Sequence, residues 1–293
     1  MNAIQTEGLT KFYGSSRGIL DLDLTVQEGE FYGFIGPNGA GKSTTIRTLL
    51  GLIRKTRGSA RVLGKDIAKE KEQILAETGY LPSEAVFYPD MRGRDLIRLS
   101  ADLHRKDCKK TSEELCERLQ LDPSRRIGEL SFGNRKKLAV VCALQHNPRL
   151  CILDEPTGGL DPLMQREFFE ILKEQNRQGM TVFLSSHILS EIQRFCSRAA
   201  IIREGRIIAS GSVEELARTN AKRISIRGYF DPSGLPDVRD LQRSDDTVSF
   251  LYGGDINLLL ARLGKDPILD LTISEPDLEE IFLHYYTKGE EQP

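Results

Sequence analysis

Residues 30–52 read EFYGFIGPNGAGKSTTIRTLLGL, and this stretch decides the fold. Its first part, residues 30–36, is a short apolar run that predicts a buried strand, and residues 43–52 have the pattern of a helix. Between them GPNGAGKS matches the spacing G-x-x-x-x-G-K-[ST], in the strand-to-helix context that this motif requires. Glycines there let backbone N–H groups face phosphate oxygens, and the helix N-terminus adds a positive dipole end. The stretch therefore predicts a phosphate-binding loop.

The motif also assigns roles to single residues of this loop. We expect the Lys42 ammonium to reach the β- and γ-phosphates of a nucleotide and the Ser43 hydroxyl to ligate Mg²⁺. The alternative is a glycine-rich turn that carries a lysine by chance, and a match in register with correct flanks argues against it. The predicted nucleotide-binding residues of the loop are Gly36, Asn38, Gly39, Ala40, Gly41, Lys42, Ser43 and Thr44.

The composition is that of a globular protein and excludes several classes. The 293 residues are 39% hydrophobic, and 41 Lys and Arg against 43 Asp and Glu leave a net charge of -2, which does not indicate a nucleic-acid partner. No apolar run approaches the ~18 residues of a membrane span, and residues 1–7 lack the features of a signal peptide. The five cysteines form no C-x-x-C pair, so we expect reduced thiols in a cytosolic protein and no zinc site.

Short apolar runs alternate with longer helical patterns along the first two thirds of the chain. Residues 150–154 and 180–185 predict buried strands, and residues 163–175 predict the helix between them. This alternation indicates an α/β core with a largely parallel sheet. Residues 83–147 are charged and helical in pattern, with one helix start expected at Thr111, and we interpret them as a helical subdomain inserted into the core.

A second domain is predicted where the composition changes, near residue 218. A helix is expected from residue 212 to about residue 220, and another over residues 256–263. The strands predicted there are residues 223–230, 247–252 and 268–273. We therefore divide the chain into a larger domain, residues 1–217, and a small α+β domain, residues 218–293.

Two carboxylates, Asp154 and Glu155, lie at the C-terminal end of a buried strand of the predicted sheet. Ligands of open parallel sheets bind at the carboxyl ends of the strands. Asp154 suits a ligand to Mg²⁺ or its water, and Glu155 suits a base that orients or activates an attacking water. The alternative is that the acidic pair only begins a polar loop, but the phosphate-binding loop upstream favours a functional site.

Residues 130–137 read LSFGNRKK and open the most apolar helix of the middle section. Ser131 is placed to cap this helix, and the free backbone N–H groups after it could hold an anion. An ordinary capped helix with a basic first turn is the commoner interpretation. A basic first turn opposes the helix dipole, however, unless an anion offsets it.

In their order along the chain, these motifs resemble those of the nucleotide-binding subunits of ATP-binding cassette (ABC) transporters. The phosphate-binding loop resembles the Walker A motif, and Asp154 with Glu155 resembles Walker B. LSFGN at residues 130–134 resembles the signature LSGGQ, and residues 159–161 resemble the D-loop. His187 matches the position of the switch histidine, and Tyr13 matches that of the aromatic residue that stacks on adenine. The resemblance spans about residues 3–217.

The resemblance implies a P-loop NTPase (RecA-like) core, ATP and Mg²⁺ as ligands, and two cassettes joined head to tail. ATP held by Lys42 of one cassette would contact Ser131 of the other, with Gly133 and Asp161 also at the nucleotide. The same resemblance makes Glu155 a catalytic residue.

Two further roles are implied by the resemblance alone. His187 would hold the γ-phosphate and the attacking water, whereas by itself it would be interpreted as a hydrogen-bonded core histidine. Tyr13 would stack on adenine, and the alternative is packing within a strand.

Two positions depart from the family pattern. Ser83 stands where the family has a glutamine that meets Mg²⁺, so the expected metal ligands are Ser43, Asp154 and Ser83, with Glu84 as the alternative to Ser83. Phe132 replaces the first glycine of the signature and restricts how closely a phosphate-bearing surface can approach. Both departures concern the rate of hydrolysis rather than ATP binding.

Residues 273–283 resemble the ending of ATPase subunits of ABC type-2 exporters, which extrude drugs, sodium or peptide antibiotics. A capped amphipathic helix is the alternative interpretation of that segment. The resemblance implies that the small C-terminal domain regulates the ATPase or contributes to dimerisation.

The expected function is an ATP-hydrolysing subunit that energises a separate transmembrane permease, for export of a drug, peptide, lipid or ion. It would form a homodimer or heterodimer at the cytoplasmic face of the membrane. The candidate permease contacts are Phe87, Tyr88 and Met91. No nucleic-acid partner is expected. Two alternatives stay open: a slow or non-hydrolysing regulatory cassette, and a soluble ABC ATPase acting on ribosomes or DNA.

Overall fold

The computed structural model describes residues 1–14, 16–217, 222–244, 246–264 and 267–274. The chain divides into two compact units, Met1–Val213 and Glu214–Pro293. Among the described residues the first unit contains two sheets and the second contains one, and each unit has its own cluster of buried apolar side chains. Most of residues 273–283, which resemble an exporter ATPase ending, lie outside the described residues.

The first unit is built on a six-stranded sheet in which most neighbours run parallel. In spatial order its strands are β10 (Arg206–Ser212), β9 (Arg198–Arg203), β3 (Phe31–Ile35), β8 (Thr181–Ser186), β7 (Leu150–Asp154) and β6 (Thr78–Leu81). Only β10 pairs antiparallel, at one edge. Every residue of β3, β7 and β8 is buried, as their continuous apolar runs predict for strands covered on both faces. The predicted largely parallel α/β core is confirmed.

A second, antiparallel sheet of the first unit precedes and flanks this core. Its order is β2 (Ser16–Gln27), β1 (Asn2–Tyr13), β4 (Arg57–Val62) and β5 (Lys65–Asp66). Ile4 and Leu22 of this sheet share one buried cluster with Phe34 and Phe183 of the central sheet. These four strands were not predicted from the sequence.

Helices cover the central sheet and form the inserted region. They are α1 (Lys42–Leu49), α2 (Lys71–Glu77), α3 (Gly93–His104), α4 (Lys109–Arg118), α5 (Phe132–Leu144), α6 (Pro162–Arg177) and α7 (Leu189–Phe195). A further short helix, α8 (Val213–Ala217), begins at the last residue of the first unit. The predicted end of α8 near residue 220 is outside the described residues. In the part of the chain that the structure describes, no helix has the length and apolarity needed to cross a membrane.

The inserted region contains α3, α4 and α5, and one of its predicted helix starts is wrong. Helix α4 begins at Lys109, so Thr111 lies inside its first turn instead of capping it. The Asp107 side chain accepts a hydrogen bond from the Lys109 amide at 3.1 Å, which starts the helix earlier than the Thr111 pattern suggested. The cap predicted at Ser131 is present, because its Oγ accepts the Asn134 amide at 3.2 Å.

The second unit is a four-stranded antiparallel sheet with one helix. Its order is β12 (Val238–Ser244), β13 (Thr247–Tyr252), β11 (Lys222–Gly228) and β14 (Ile268–Ser274), and α9 (Ile256–Leu263) connects the last two strands in sequence. Phe230 and Phe250 stack in its core with ring centroids 6.0 Å apart. The predicted strands and helix are present, and β12 is an additional strand.

Candidate active site

The loop between β3 and α1 contains backbone conformations that glycine adopts more readily than other residues. Gly39 and Gly41 have φ of +80° and +112°, in the left-handed region that side chains disfavour. A side chain at Gly36 would collide with the Ile202 carbonyl, so that position also requires glycine. Gly41 is the N-cap of α1 and offers no side-chain cap, which leaves the first amides of α1 for another acceptor. This geometry suits a bound phosphate.

Lys42 is held inside this loop and is only 4% exposed. Its Nζ donates to the carbonyl oxygens of Gly36 at 2.7 Å and Pro37 at 3.1 Å. It also forms an ion pair with Glu155 Oε1 at 3.0 Å. The ammonium thus lies between the phosphate-binding loop and the acidic pair after β7.

The acidic pair is positioned by β7 and β8 at the carboxyl edge of the central sheet. Asp154 is fully buried, and its Oδ1 accepts a hydrogen bond from Ser185 Oγ at 2.8 Å. Glu155 has φ of +48°, a left-handed conformation that costs free energy in a non-glycine residue. Its amide donates to the Ser185 carbonyl at 3.1 Å, which fixes this turn.

Glu155 joins Lys42 and His187 through its two carboxylate oxygens. Oε2 lies 3.3 Å from His187 Nδ1, while Oε1 faces Lys42. Burial acts to raise the pKa of Glu155, but the hydrogen bonds and charges of Lys42 and His187 outweigh it and hold that pKa below its ordinary value. Glu155 is therefore a carboxylate at neutral pH.

Hydrogen bonds of Ser186 fix the turn that carries His187. Ser186 Oγ accepts the Ile188 amide at 2.9 Å and donates to Glu191 Oε2 at 2.7 Å. His187 follows β8 directly, and its side chain is half exposed. The imidazole is therefore held beside Glu155 with one face accessible.

Lys42 and Glu155 border a cleft of about 330 Å³, whose lining does not include Asp154 or His187. Its lining is Tyr13, Gly18, Asn38, Gly39, Gly41, Lys42, Ser43, Thr44, Ser83 and Glu155. Tyr13 is 46% exposed, with Lys11 Nζ 5.1 Å from its ring centroid, so the ring can accept a further planar group. The structure thus brings six of the eight predicted loop residues, all but Gly36 and Ala40, together with Tyr13, Ser83 and Glu155.

Gly18 lines the cleft and was missed from the sequence. A Cβ at this position would lie 2.7 Å from the Lys11 carbonyl oxygen and 3.0 Å from the Tyr13 ring. No local sequence signal marks Gly18, because the restriction arises from pairing between β1 and β2.

Oxygen atoms in and next to the cleft have the chemistry that suits Mg²⁺. Ser43 and Ser83 line the cleft, and Asp154, which precedes the lining residue Glu155, has its Oδ2 buried without a hydrogen-bond partner. Carboxylate and hydroxyl oxygens are ligands that Mg²⁺ accepts, usually with water and phosphate completing its shell. Among the described residues, no cluster of three or more His, Cys, Asp or Glu could hold a metal by itself. The predicted donor set is therefore a partial one that a nucleotide would complete.

The remaining predicted site residues do not line this cleft. Ser131 and Asp161 are exposed and act as N-caps, of α5 and of α6, where the Met164 amide donates to Asp161 Oδ1 at 3.0 Å. A Cβ on Gly133 would lie 2.7 Å from the Gly159 carbonyl oxygen, and a Cβ on Gly159 would collide with the Phe132 ring. Residues 131–133 and 159–161 therefore form a second cluster, separate from Lys42.

Comparisons with known proteins decide the family. A family model described as ABC transporter matches residues 19–158. The bacitracin transport ATP-binding protein BcrA of Bacillus licheniformis is 35% identical to this chain over 297 residues, which cover 96% of each protein. The chain belongs to the ABC transporter ATP-binding subunits. The linearmycin resistance ATP-binding protein LnrL of Bacillus subtilis is 30% identical, over 96% of this chain and 97% of that protein.

Solved ABC structures agree with this fold. An ATP-binding subunit of an ABC transporter is 31% identical and has a TM-score of 0.69 over 74% of this chain and 92% of its own. The MJ0796 cassette bound to ADP and Pi is 23% identical and has a TM-score of 0.66 over 72% and 98%, which supports the fold alone. The predicted ABC family and P-loop NTPase fold are confirmed, and the protein is a nucleotide-binding, ABC-type ATPase.

Proposed function

We propose that this ABC ATPase hydrolyses ATP in the cleft at Lys42 and thereby drives a separate membrane permease that exports its cargo. The observation that supports hydrolysis is the chain of contacts from Lys42 through Glu155 to His187, at 3.0 and 3.3 Å. Export of a drug, peptide, lipid or ion is supported by the relatives described as bacitracin transport and linearmycin resistance proteins.

The first step of this mechanism is an exchange of partners at Lys42. Its ammonium bonds to two loop carbonyls and to Glu155, and the β- and γ-phosphates of ATP would compete with the carboxylate for it. Ser43 and the open amides of α1 would receive the remaining phosphate oxygens. ATP binding would thus free Glu155 while it is ionised.

Glu155 and His187 would then act on the attacking water. The Glu155 carboxylate accepts a proton from, or orients, the water, while the His187 imidazole donates a hydrogen bond to the γ-phosphate. Mg²⁺, held by Ser43, Asp154 and Ser83, would supply charge neutralisation at the phosphates when bound. Tyr13 at the cleft edge would stack on the adenine.

A second cassette completes the site in this proposal. Ser131, Gly133 and Asp161 lie outside the cleft of their own chain, and Ser131 is exposed at the start of α5. The remaining first-turn amides of α5 can bind phosphate oxygens presented by another subunit. We propose that Ser131 contacts ATP held by Lys42 of an identical or sibling subunit.

The permease would hold the protein at the cytoplasmic face of the membrane. Val86 and Tyr88, just after Ser83, are 83% and 74% exposed, so this short segment presents two apolar side chains to solvent. Val86 extends the predicted permease contact of Phe87, Tyr88 and Met91, through which movement of the Ser83 segment would reach the permease. The domain at residues 218–293 would act as an accessory or regulatory domain.

The Phe132 ring favours one alternative, a slow regulatory cassette. It packs on Gly159 and is still 50% exposed, so a bulky side chain next to Ser131 in the chain would meet an approaching partner. Hydrolysis would then be limited by closure of the dimer rather than by ATP binding. A cassette acting on ribosomes or DNA has less support, since the net charge is only -2.

The Glu155→Gln substitution tests the proposed hydrolysis. With the permease present, kcat is expected to fall by about 10²-fold or more, because the general base is lost while Lys42 and the loop remain. The same variant should retain MgATP binding and accumulate as an ATP-bound dimer in light-scattering measurements. Glu117→Gln, an exposed carboxylate on α4, is the matched control and should keep the original kcat.

The result that contradicts hydrolysis is a wild-type rate no greater than that of Glu155→Gln, which would leave the regulatory alternative. Co-purification from membranes with a permease supports the transport assignment. Co-purification with ribosomes instead would overturn it.

A further inference from the structure

Lys136 is a buried cation of α5 that none of the recognised motifs explains. Its side chain is 2% exposed. The ammonium donates to the carbonyl oxygens of Pro82 and Ser83, both at 3.0 Å, and approaches the Glu155 carbonyl at 3.4 Å. An ammonium has three N–H donors, so these three carbonyls account for its whole bonding capacity.

The three carbonyls belong to two loops that the central sheet places side by side. Pro82 and Ser83 follow β6, and Glu155 follows β7. Strands β6 and β7 are parallel neighbours, so their carboxyl ends lie at the same edge of the sheet. Lys136 thereby connects the helix that begins at Ser131 to the loop of the proposed metal ligand and to the backbone of the proposed base.

Burial makes this connection specific. An ammonium removed from water is stable only when it is fully bonded and near opposite charge. Burial lowers the pKa of Lys136 to about 8, while Asp154 and Glu155 act to raise it. Its neighbour Arg135 differs, because its guanidinium bonds to the Leu130 carbonyl at the start of its own helix. Arg135 therefore does not make the contacts that Lys136 makes.

We propose that Lys136 is a positioning residue for ATP hydrolysis, which couples the position of the Ser131 helix to Glu155 and to the Ser83 loop. This inference rests on the proposed function. Lys136 lines no part of the cleft and acts through the backbone of its partners. A shift of α5 against a partner subunit would move the Lys136 ammonium, and with it the loops that carry Glu155 and Ser83.

The test compares Lys136→Met, Lys136→Arg and Lys137→Met in the full-length protein. Lys136→Met keeps an unbranched side chain and removes all three donors, whereas Lys136→Arg retains a cationic donor. Lys137→Met removes the next charge of the same helix and is the matched control. Three quantities are measured for each variant: the Kd for MgATP, the steady-state kcat and KM, and MgATP-dependent dimerisation in a Glu155→Gln background.

Lys136→Met is expected to lower kcat by about tenfold or more. A displacement of about 1 Å in a catalytic group, here Glu155, is enough to slow the reaction by that factor. Its Kd for MgATP should stay within about threefold of the wild-type value, since the Lys42 loop is unchanged. Dimerisation in the Glu155→Gln background should weaken by about tenfold, because Ser131 would be displaced. Lys136→Arg should recover most of the lost kcat, and Lys137→Met should match the wild type.

Two results would overturn the inference: a wild-type kcat in Lys136→Met, or a loss of MgATP affinity that parallels the loss of kcat, which a purely structural role produces. If Lys136→Met does not fold by circular dichroism, Lys136→Gln replaces it, and a wild-type kcat there is equally contradictory. A wild-type protein no faster than Glu155→Gln would instead refute the proposed function, so the two failures are distinguishable.

Discussion

Gly133 and Gly159 bring two predicted functional segments into backbone contact. Any side chain at Gly133 would meet the Gly159 carbonyl oxygen, which a Cβ would approach to 2.7 Å. The Phe132 ring packs against Gly159, where an added Cβ would collide with it, so the two segments are in tight contact. The requirement for glycine at these positions is steric, and it links the Ser131 helix start to the loop that ends at Asp161.

Gly133→Ala is expected to separate these segments and to lower kcat by about tenfold, because overpacking at a tight contact forces the backbone to move. MgATP binding at Lys42 should be unchanged. Gly158→Ala is the control in the same loop, since its added Cβ would be 3.9 Å from the nearest atom, the Glu155 carbonyl oxygen, an ordinary contact. The measurement is steady-state ATPase activity, and equal rates for both alanine variants would contradict the argument.

Among the elements, the segment between α5 and β7 contains a buried imidazole. His146 is 1% exposed, and its ring stacks on that of His104, at the end of α3, with centroids 3.6 Å apart. Burial lowers the pKa of His146 to about 3, and the nearby His104 and Lys106 act in the same direction. The Lys106 ammonium also donates to the His146 carbonyl at 2.7 Å, which holds it close.

This neutral imidazole predicts a loss of stability in acid. Between pH 6.5 and the folded pKa of about 3, only the unfolded chain binds the proton at this site, so the free energy of unfolding falls as pH falls. From pH 7 to pH 5 the expected loss from His146 is about 2 kcal/mol. Urea titrations should show a smaller fall in the free energy of unfolding over this pH range in His146→Phe, which keeps an aromatic ring, than in the wild type, while His104 contributes to the fall in both. An equal loss in His146→Phe would contradict the assignment.

The elements also show what the sequence could predict. Strands β3, β7 and β8 were predicted to within one residue at each end, because a strand buried on both faces is a continuous apolar run. Strand β12 reads VRDLQRS and was missed, because its mostly exposed residues leave no such pattern.

The residues of the candidate site also divide into those that the sequence predicts and those that it does not. Lys42 and Glu155 are marked by motifs with fixed local spacing. Lys136 and Gly18 are not, because their importance depends on partners distant in sequence: carbonyls after β6 and β7 for Lys136, and the Lys11 backbone for Gly18.

At the scale of the whole molecule, each of the two units buries an apolar cluster of its own among the residues that the structure describes. The first surrounds Phe34 and Phe183, between the central sheet and the N-terminal strands. The second surrounds Phe230 and Phe250, within the small antiparallel sheet. Because each unit buries its own apolar cluster, each has its own source of folding free energy. A protein built this way need not unfold in one step.

Phe250→Ala is therefore expected to destabilise the second unit alone. Both Phe250 and its counterpart in the first unit, Phe183, are fully buried, and truncating such a ring costs about 3–5 kcal/mol. Hydrogen exchange during urea titration can follow the amides of residues 31–35 and 247–252 separately. Phe250→Ala should lower the urea midpoint of residues 247–252 only. Phe183→Ala should lower the urea midpoint of residues 31–35 only. MgATP, which binds the first unit, should raise only the urea midpoint of residues 31–35. A single transition moved equally by both substitutions would mean that the two cores unfold as one.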